Sequence, residues 1–216
     1  MRSIASFASV LLLFTLTTAL SAADPVKVAC VGDSITIGYG LADGSQAYPG
    51  QLGRILGEGF DVRNCGVIRA TYLDASDKPY KSDPMYTAVL NWKPDYIFIT
   101  LGANDTKAAN WRHEANFVAD VKSMIAGFRG ANPEVKVYIC LPLPVFPEYY
   151  GITQDTISRG VIPKLRTAAE EAKVGVVDLH TPFLSSGRQF PDKLHPNAEA
   201  SRRVAEIIHA AAWSEE

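Results

Sequence analysis

VACVGDSITIGYG, from Val28 to Gly40, starts as a short apolar run with the composition of a buried strand. The run halts at Gly32, and Asp33 and Ser34 follow side by side. Either residue caps a following helix well. A serine at a strand end is also a place to hold a nucleophile. Which role applies depends on what else the chain brings to that point.

Four further runs share the apolar character of VKVACVG (26–32). They are FDVRNCG (60–66), DYIFITLG (95–102), VKVYICLPLP (135–144) and VGVVDLH (174–180). Short runs that are apolar on both faces predict strands covered by helices on both sides. Helical spacing appears between and after them. It is seen in YPGQLGRILG (48–57), HEANFVADVKSMIAGFRG (113–130), TISRGVIPKLRTAAEEAK (156–173) and NAEASRRVAEIIHAAAW (197–213). Pro163 should mark a break or a true start in the third of these. Strand–helix alternation predicts a three-layer α/β/α sandwich around a five-stranded parallel sheet with right-handed crossovers. No repeat, linker or second domain is visible.

Residues 1–23 carry Arg2, an apolar stretch from Val10 to Leu20, and small residues before Asp24. This pattern predicts a secretory signal peptide cleaved near Ala23, too short in its apolar part to span a membrane. The expected location is therefore secreted or periplasmic. The full chain has 21 basic and 23 acidic side chains. Losing Arg2 leaves 20 against 23, a formal charge of −3 and no nucleic-acid footprint. The 24–216 remainder suits one domain. Cys30, Cys65 and Cys140 are too few and too widely spaced for a disulfide framework. Cys30 and Cys140 read as buried thiols, and a Cys30–Cys65 bridge stays open.

In sheets of this kind the working groups lie beyond the carboxyl ends of the strands. Those ends carry Asp33-Ser34, Asn64-Cys65-Gly66 and Gly102-Ala103-Asn104-Asp105, and the loop before the last helix carries Asp192, His195 and Asn197. His195 is placed to take the Ser34 proton, with Asp192 three residues earlier to orient the imidazole. The Ser34 N–H, the Gly66 N–H and the Asn104 amide are candidate donors to an oxyanion. His180 with Asp178 is the rival base pair. Asp33 is expected to brace the Ser34 loop. Arg69, three residues after Gly66, either reads a substrate carboxylate or pairs with Asp74 or Asp77. Trp111, Tyr72 and Phe146 are candidates for a sugar platform, or for packing. No His, Asp and Glu cluster has metal-ligand spacing, so neither metal nor cofactor is expected.

GDSIT (32–36), NCG (64–66), GAND (102–105) and DKLHPN (192–197) resemble, in order and spacing, the four blocks of the SGNH or GDSL hydrolases. Ile35 stands in place of the leucine of the family's nickname, and Arg69 where many relatives carry a small residue. The resemblance implies a flavodoxin-like α/β/α fold and metal-free serine ester hydrolysis by Ser34, Asp192 and His195 through an acyl-enzyme. A narrower resemblance rests on LGANDTKAANW, LPLPVF and FPDKLHPNAEASRR. These are similar to secreted bacterial carbohydrate O-acetylesterases, including those called sialate O-acetylesterase-like. It implies acetyl groups on a small sugar or polysaccharide as substrate, without fixing the sugar or the oligomeric state. Two alternatives stand beside it: a lysophospholipase- or thioesterase-like enzyme, and a noncatalytic carbohydrate-binding protein on the same fold. The short polar loops TKAANWRHE and DASDKPYKSD favour a small acyl group.

Overall fold

The computed structural model describes residues 24–213; the expected leader lies outside the described residues. In chain order its elements are β1 (Val26–Gly32), α1 (Ser34–Ile37), α2 (Tyr48–Leu56), β2 (Phe60–Gly66), α3 (Pro84–Trp92) and β3 (Tyr96–Thr100). They continue with α4 (Ala108–Trp111), α5 (Phe117–Ala131), β4 (Lys136–Leu141), β5 (Glu148–Tyr149) and β6 (Ile152–Thr153). The last are α6 (Gln154–Thr156), α7 (Ile162–Ala172), β7 (Gly175–Asp178) and α8 (Ala198–Trp213). Five strands form one parallel sheet in the order β2-β1-β3-β4-β7, while β5 and β6 pair as a small antiparallel hairpin.

Side-chain alternation along the strands divides the core in two. Ala29, Val31, Ile97, Ile99, Val137 and Ile139 meet α3, α5 and α7 on one face. Val28, Cys30, Phe98, Cys140 and Val177 meet α2 and α8 on the other. Three layers result, as the alternating pattern predicts. The edge strand β2 departs from that expectation. Among the described residues its one sheet partner is β1, and Arg63 and Asn64 stand exposed although α2 and α3 flank the strand, so it is only partly covered. The Arg63 guanidinium lies 3.9 Å over the Trp92 ring, which shields part of that edge.

Helix α3 was not evident from spacing. Its signal is the Asp83-Pro84 pair: the Asp83 carboxylate caps the Met85 N–H at 3.0 Å, and Pro84 occupies the first turn. The region around Pro163 is a single helical path. A π-helical segment, Ile157–Val161, joins α6 to α7, and Pro163 sits in the first turn after it, where a missing N–H is least costly. The three cysteines are free and buried, so the Cys30–Cys65 bridge is absent.

β1 is flanked by β2 and β3, so the chain reverses its direction of travel across the sheet there. The backbone at this end is tight. A Cβ on Gly32 would fall 2.0 Å from Thr36 Oγ1 and 2.3 Å from Thr100 Oγ1. Those two hydroxyls are 2.6 Å apart and both meet the buried Tyr48 hydroxyl, at 3.1 and 3.0 Å. Gly32→Ala should therefore break a buried hydroxyl cluster and cost about 1–3 kcal/mol in urea denaturation. Gly44 has nothing within 4 Å of its Cβ position. Gly44→Ala should stay within about 0.5 kcal/mol of the parent, and equal effects at both sites would remove the close-approach explanation.

Candidate active site

Four segments converge at the carboxyl edge of the sheet. Asp33 follows β1 and caps α1 by accepting the Ile35 N–H at 2.9 Å. That turn holds Ser34 at the first position of α1, where its own N–H has no acceptor within the helix. Ser34 Oγ lies 2.9 Å from His195 Nε2, and His195 Nδ1 lies 2.6 Å from Asp192 Oδ2. The carboxylate fixes the proton on Nδ1 and leaves the Nε2 lone pair facing the hydroxyl. Asp192 Oδ1 also accepts the Leu194 and His195 N–H groups, at 3.0 and 2.7 Å. Partial burial pushes the Asp192 carboxyl upward, but its bonds to His195 and Leu194 outweigh this and hold it below the usual range. Ser34 and His195 are both buried, at 8% and 6% exposure.

Asn104 follows β3 and donates Nδ2–H to Asp33 Oδ2 at 3.0 Å. Asn104 lines the same cleft as Ser34. Its backbone carbonyl oxygen accepts from Asn110 Nδ2 at 3.0 Å. Gly66 lies where β2 passes the Ser34 turn. A Cβ there would come within 2.9 Å of the Asp33 carbonyl oxygen and 2.8 Å of the Ile37 nitrogen, so only glycine fits. The Gly66 N–H, expected as an oxyanion donor, is taken by Asn64 Oδ1 at 3.1 Å. Of the three expected donors, the Gly66 N–H is engaged by Asn64 and the Asn104 amide by Asp33, and the Ser34 N–H has no acceptor within its helix.

His180 is not a base for Ser34. Its Nδ1 donates to the Pro142 carbonyl at 2.9 Å, and its Nε2 receives the Gln154 amide at 3.0 Å. Asp178 caps the His180 and Thr181 N–H groups instead of meeting the imidazole. Arg69 takes the simpler of its two roles and pairs with Asp77, although it still lines the cleft. Its backbone is left-handed, with φ of 66°. Trp111 is a correction. Its ring faces the core, 5.5 Å from the Phe117 ring and against Gly160, and does not line the cleft. Tyr72 is wholly buried, and Phe146 packs on Phe190.

The cleft over Ser34 holds about 490 Å³, within the range of small-molecule sites. Several lining residues were not foreseen: Tyr39, Ile68, Lys107, Tyr149, Tyr150 and Ile152. His195 lies between two of them. The Tyr39 ring is 4.6 Å away and tilted, and the Tyr149 ring is 5.6 Å away and edge-on. A serine paired to a histidine, the histidine to an acid, and amide donors beside the serine make a machine for acyl transfer.

Residues 30–203 match the GDSL-like lipase/acylhydrolase family, and the chain belongs to it. A curated relative, an acetylxylan esterase of Xylanibacter ruminicola, is 34% identical over 207 residues. That match covers 87% of this chain but 43% of the relative, so the chain spans less than half the relative's length. Among solved structures, an acetyl xylan esterase superposes with a TM-score of 0.70 at 21% identity, over 87% of this chain and all of its own. A carbohydrate acetylesterase from Sinorhizobium meliloti gives 0.66 at 20% identity, over 85% and 96% of the two chains. At such identities these two likenesses bear on the fold.

Two buried acids set an unusual dependence of stability on pH. Burial raises Asp33 to about 6 and Asp105 to about 7, and the charge on Asp33 adds to the rise at Asp105. Both values exceed the ordinary 3.8, so between about pH 4 and 7 the folded chain holds protons that the unfolded chain has lost. Their contribution is complete below about pH 4 and is lost as pH rises through 6 and 7. Asp192, Asp178 and Asp83 are lowered, and theirs is lost only as pH falls below the ordinary carboxylate range. The urea midpoint should therefore be higher near pH 5 than near pH 8, and fall again below about pH 4. A midpoint that only rises from pH 5 to 8 would contradict the raised acids.

Proposed function

We propose that the protein is a serine esterase that removes acetyl groups from carbohydrates. The observation that carries this is the continuous chain from Ser34 Oγ through His195 to Asp192, at 2.9 and 2.6 Å, under an open cleft. His195 Nε2 takes the Ser34 proton as Oγ bonds to the ester carbonyl carbon. The oxyanion is met by the Ser34 N–H and the Asn104 amide, and by Gly66 once Asn64 turns aside. On collapse the C–O bond to the sugar breaks, His195 gives its proton to the departing oxygen, and acetyl remains on Ser34. Water, activated by the same imidazole, then releases acetate and restores the hydroxyl.

The name of the X. ruminicola relative, an acetylxylan esterase, supports the substrate class. The His195 side of the cleft, lined by Leu194 and by the Tyr39 and Tyr149 rings 4.6 and 5.6 Å from the imidazole, supports a small acyl group. The leader-like first residues support action outside the cytoplasm.

Ser34→Ala should reduce hydrolysis of an aryl acetate by several orders of magnitude with an unchanged urea midpoint. The parent should be labelled at Ser34 by a serine-directed phosphonate. Retained hydrolysis, or labelling elsewhere, would place the nucleophile at another residue. Among aryl esters, acetyl should be cleaved at least about tenfold faster than octanoyl, since one methylene too many in a confined pocket costs 1–3 kcal/mol. Faster cleavage of the octanoyl ester would favour a lipid substrate.

A further inference from the structure

Two features of the cleft have no part in the hydrolytic steps. One is the Lys107 ammonium. Arg69 beside it is neutralised by Asp77, and Asn110 holds that carboxylate at 2.9 Å. Among the described residues the Lys107 ammonium makes neither hydrogen bond nor ion pair. It is half-buried, and burial holds it below the ordinary lysine range, although Asp77, Asp33 and Asp105 pull the other way. A partly desolvated cation without a partner is poorly solvated in the free protein, and an anion brought to it restores the loss.

The other feature is the β5–β6 hairpin. Its two turn residues, Tyr150 and Gly151, are both left-handed, with φ of 46° and 80°. This favours a two-residue hairpin but strains the tyrosine. The turn leaves Tyr150 84% exposed at the mouth of the cleft. Its ring stands edge-on to Tyr149 at 4.7 Å, and Tyr149 stands edge-on to His195. A Cβ on Gly151 would lie 4.0 Å from Lys107 Cγ, so the hairpin tip and the lysine share one wall. An exposed aromatic face beside a lone ammonium suits a ring with an apolar C–H face and a negative substituent. An alkyl chain would use the aromatic face and leave the ammonium unmet.

We propose that Lys107 and the Tyr150 hairpin form a subsite for a sugar ring bearing a negative charge, next to the ester held at Ser34. This rests on the esterase function above and adds that acidic sugars are preferred.

The test compares kcat/KM of the full chain on three substrates: an aryl acetate, a neutral acetylated xylo-oligosaccharide and an acetylated oligogalacturonide. Lys107→Met should lower the acidic-to-neutral ratio by about tenfold or more, the scale of one charge-assisted contact, while Lys107→Arg keeps it within about threefold. Tyr150→Ala should raise KM several-fold on both oligosaccharides and less on the aryl acetate. A ratio unchanged by Lys107→Met, or equal losses on all three substrates, would overturn the proposal. If the parent neither cleaves aryl acetate nor is labelled at Ser34, it is the esterase function that fails. Calorimetric binding of unacetylated oligogalacturonide then tests the subsite alone. Weaker binding by Lys107→Met supports it, and equal binding overturns it.

Discussion

The carboxyl edge of the sheet hangs on one buried carboxylate. Asp33 Oδ1 closes the turn that presents Ser34, and Oδ2 holds the amide of Asn104 from the end of the neighbouring strand. One side chain thereby fixes the turn at Ser34 and the Asn104 amide relative to each other, although 70 residues of chain separate the two. The group is fully desolvated, which raises it to about 6. A neutral amide could not replace it simply, because both of its oxygens face donors, and an NH₂ group on either side would meet another N–H. Stability and positioning pull in opposite directions at this residue, as is common where a site must be held rigid.

The same device recurs one strand further out. Asp105 accepts the Tyr72 and Leu73 N–H groups, at 3.2 and 2.9 Å, and so ties the loop after β2 to the loop after β3. Asn110 grips the Asn104 carbonyl and the Asp77 carboxylate together. The loops around the site are fastened by side-chain bonds to backbone as well as by apolar packing. Such bonds are directional, and they hold distances that a hydrophobic contact would leave free.

The sheet and the segments that form the candidate site were largely legible in the sequence, because each is marked locally. A strand that ends in glycine followed by Asp33 and Ser34, or in Gly102 followed by Asn104, announces its end and its contents at once. Asp192 and His195 were legible as a pair because three residues separate them. What escaped notice is what tertiary packing decides. Tyr39 and Tyr149 have no spacing that marks them as neighbours of His195, nor Tyr150 as part of the cleft, and the two-residue strands of the hairpin are too short for periodicity to show. Trp111 was misplaced for the same reason. It follows the Asn104 loop closely, yet the single turn of α4 rotates it inward onto Gly160. For Arg69 the sequence held both outcomes, and the choice fell to Asp77, which Asn110 had already fixed in position.

Asp192 and His195 lie in one short turn, and the carboxylate takes the imidazole through one oxygen and the backbone through the other. Their alignment belongs to the loop's own conformation. The link to Ser34 spans 161 residues and depends on the tertiary packing that brings the end of β1 to the loop before α8. Any opening that parts those two segments would separate the hydroxyl from an Asp192–His195 pair held within one loop. The half that idles in the opened state is a pre-aligned imidazole with its proton already parked on the far nitrogen. Re-forming the reactive arrangement on closure then requires one contact to be found again, with no reorganisation of the base.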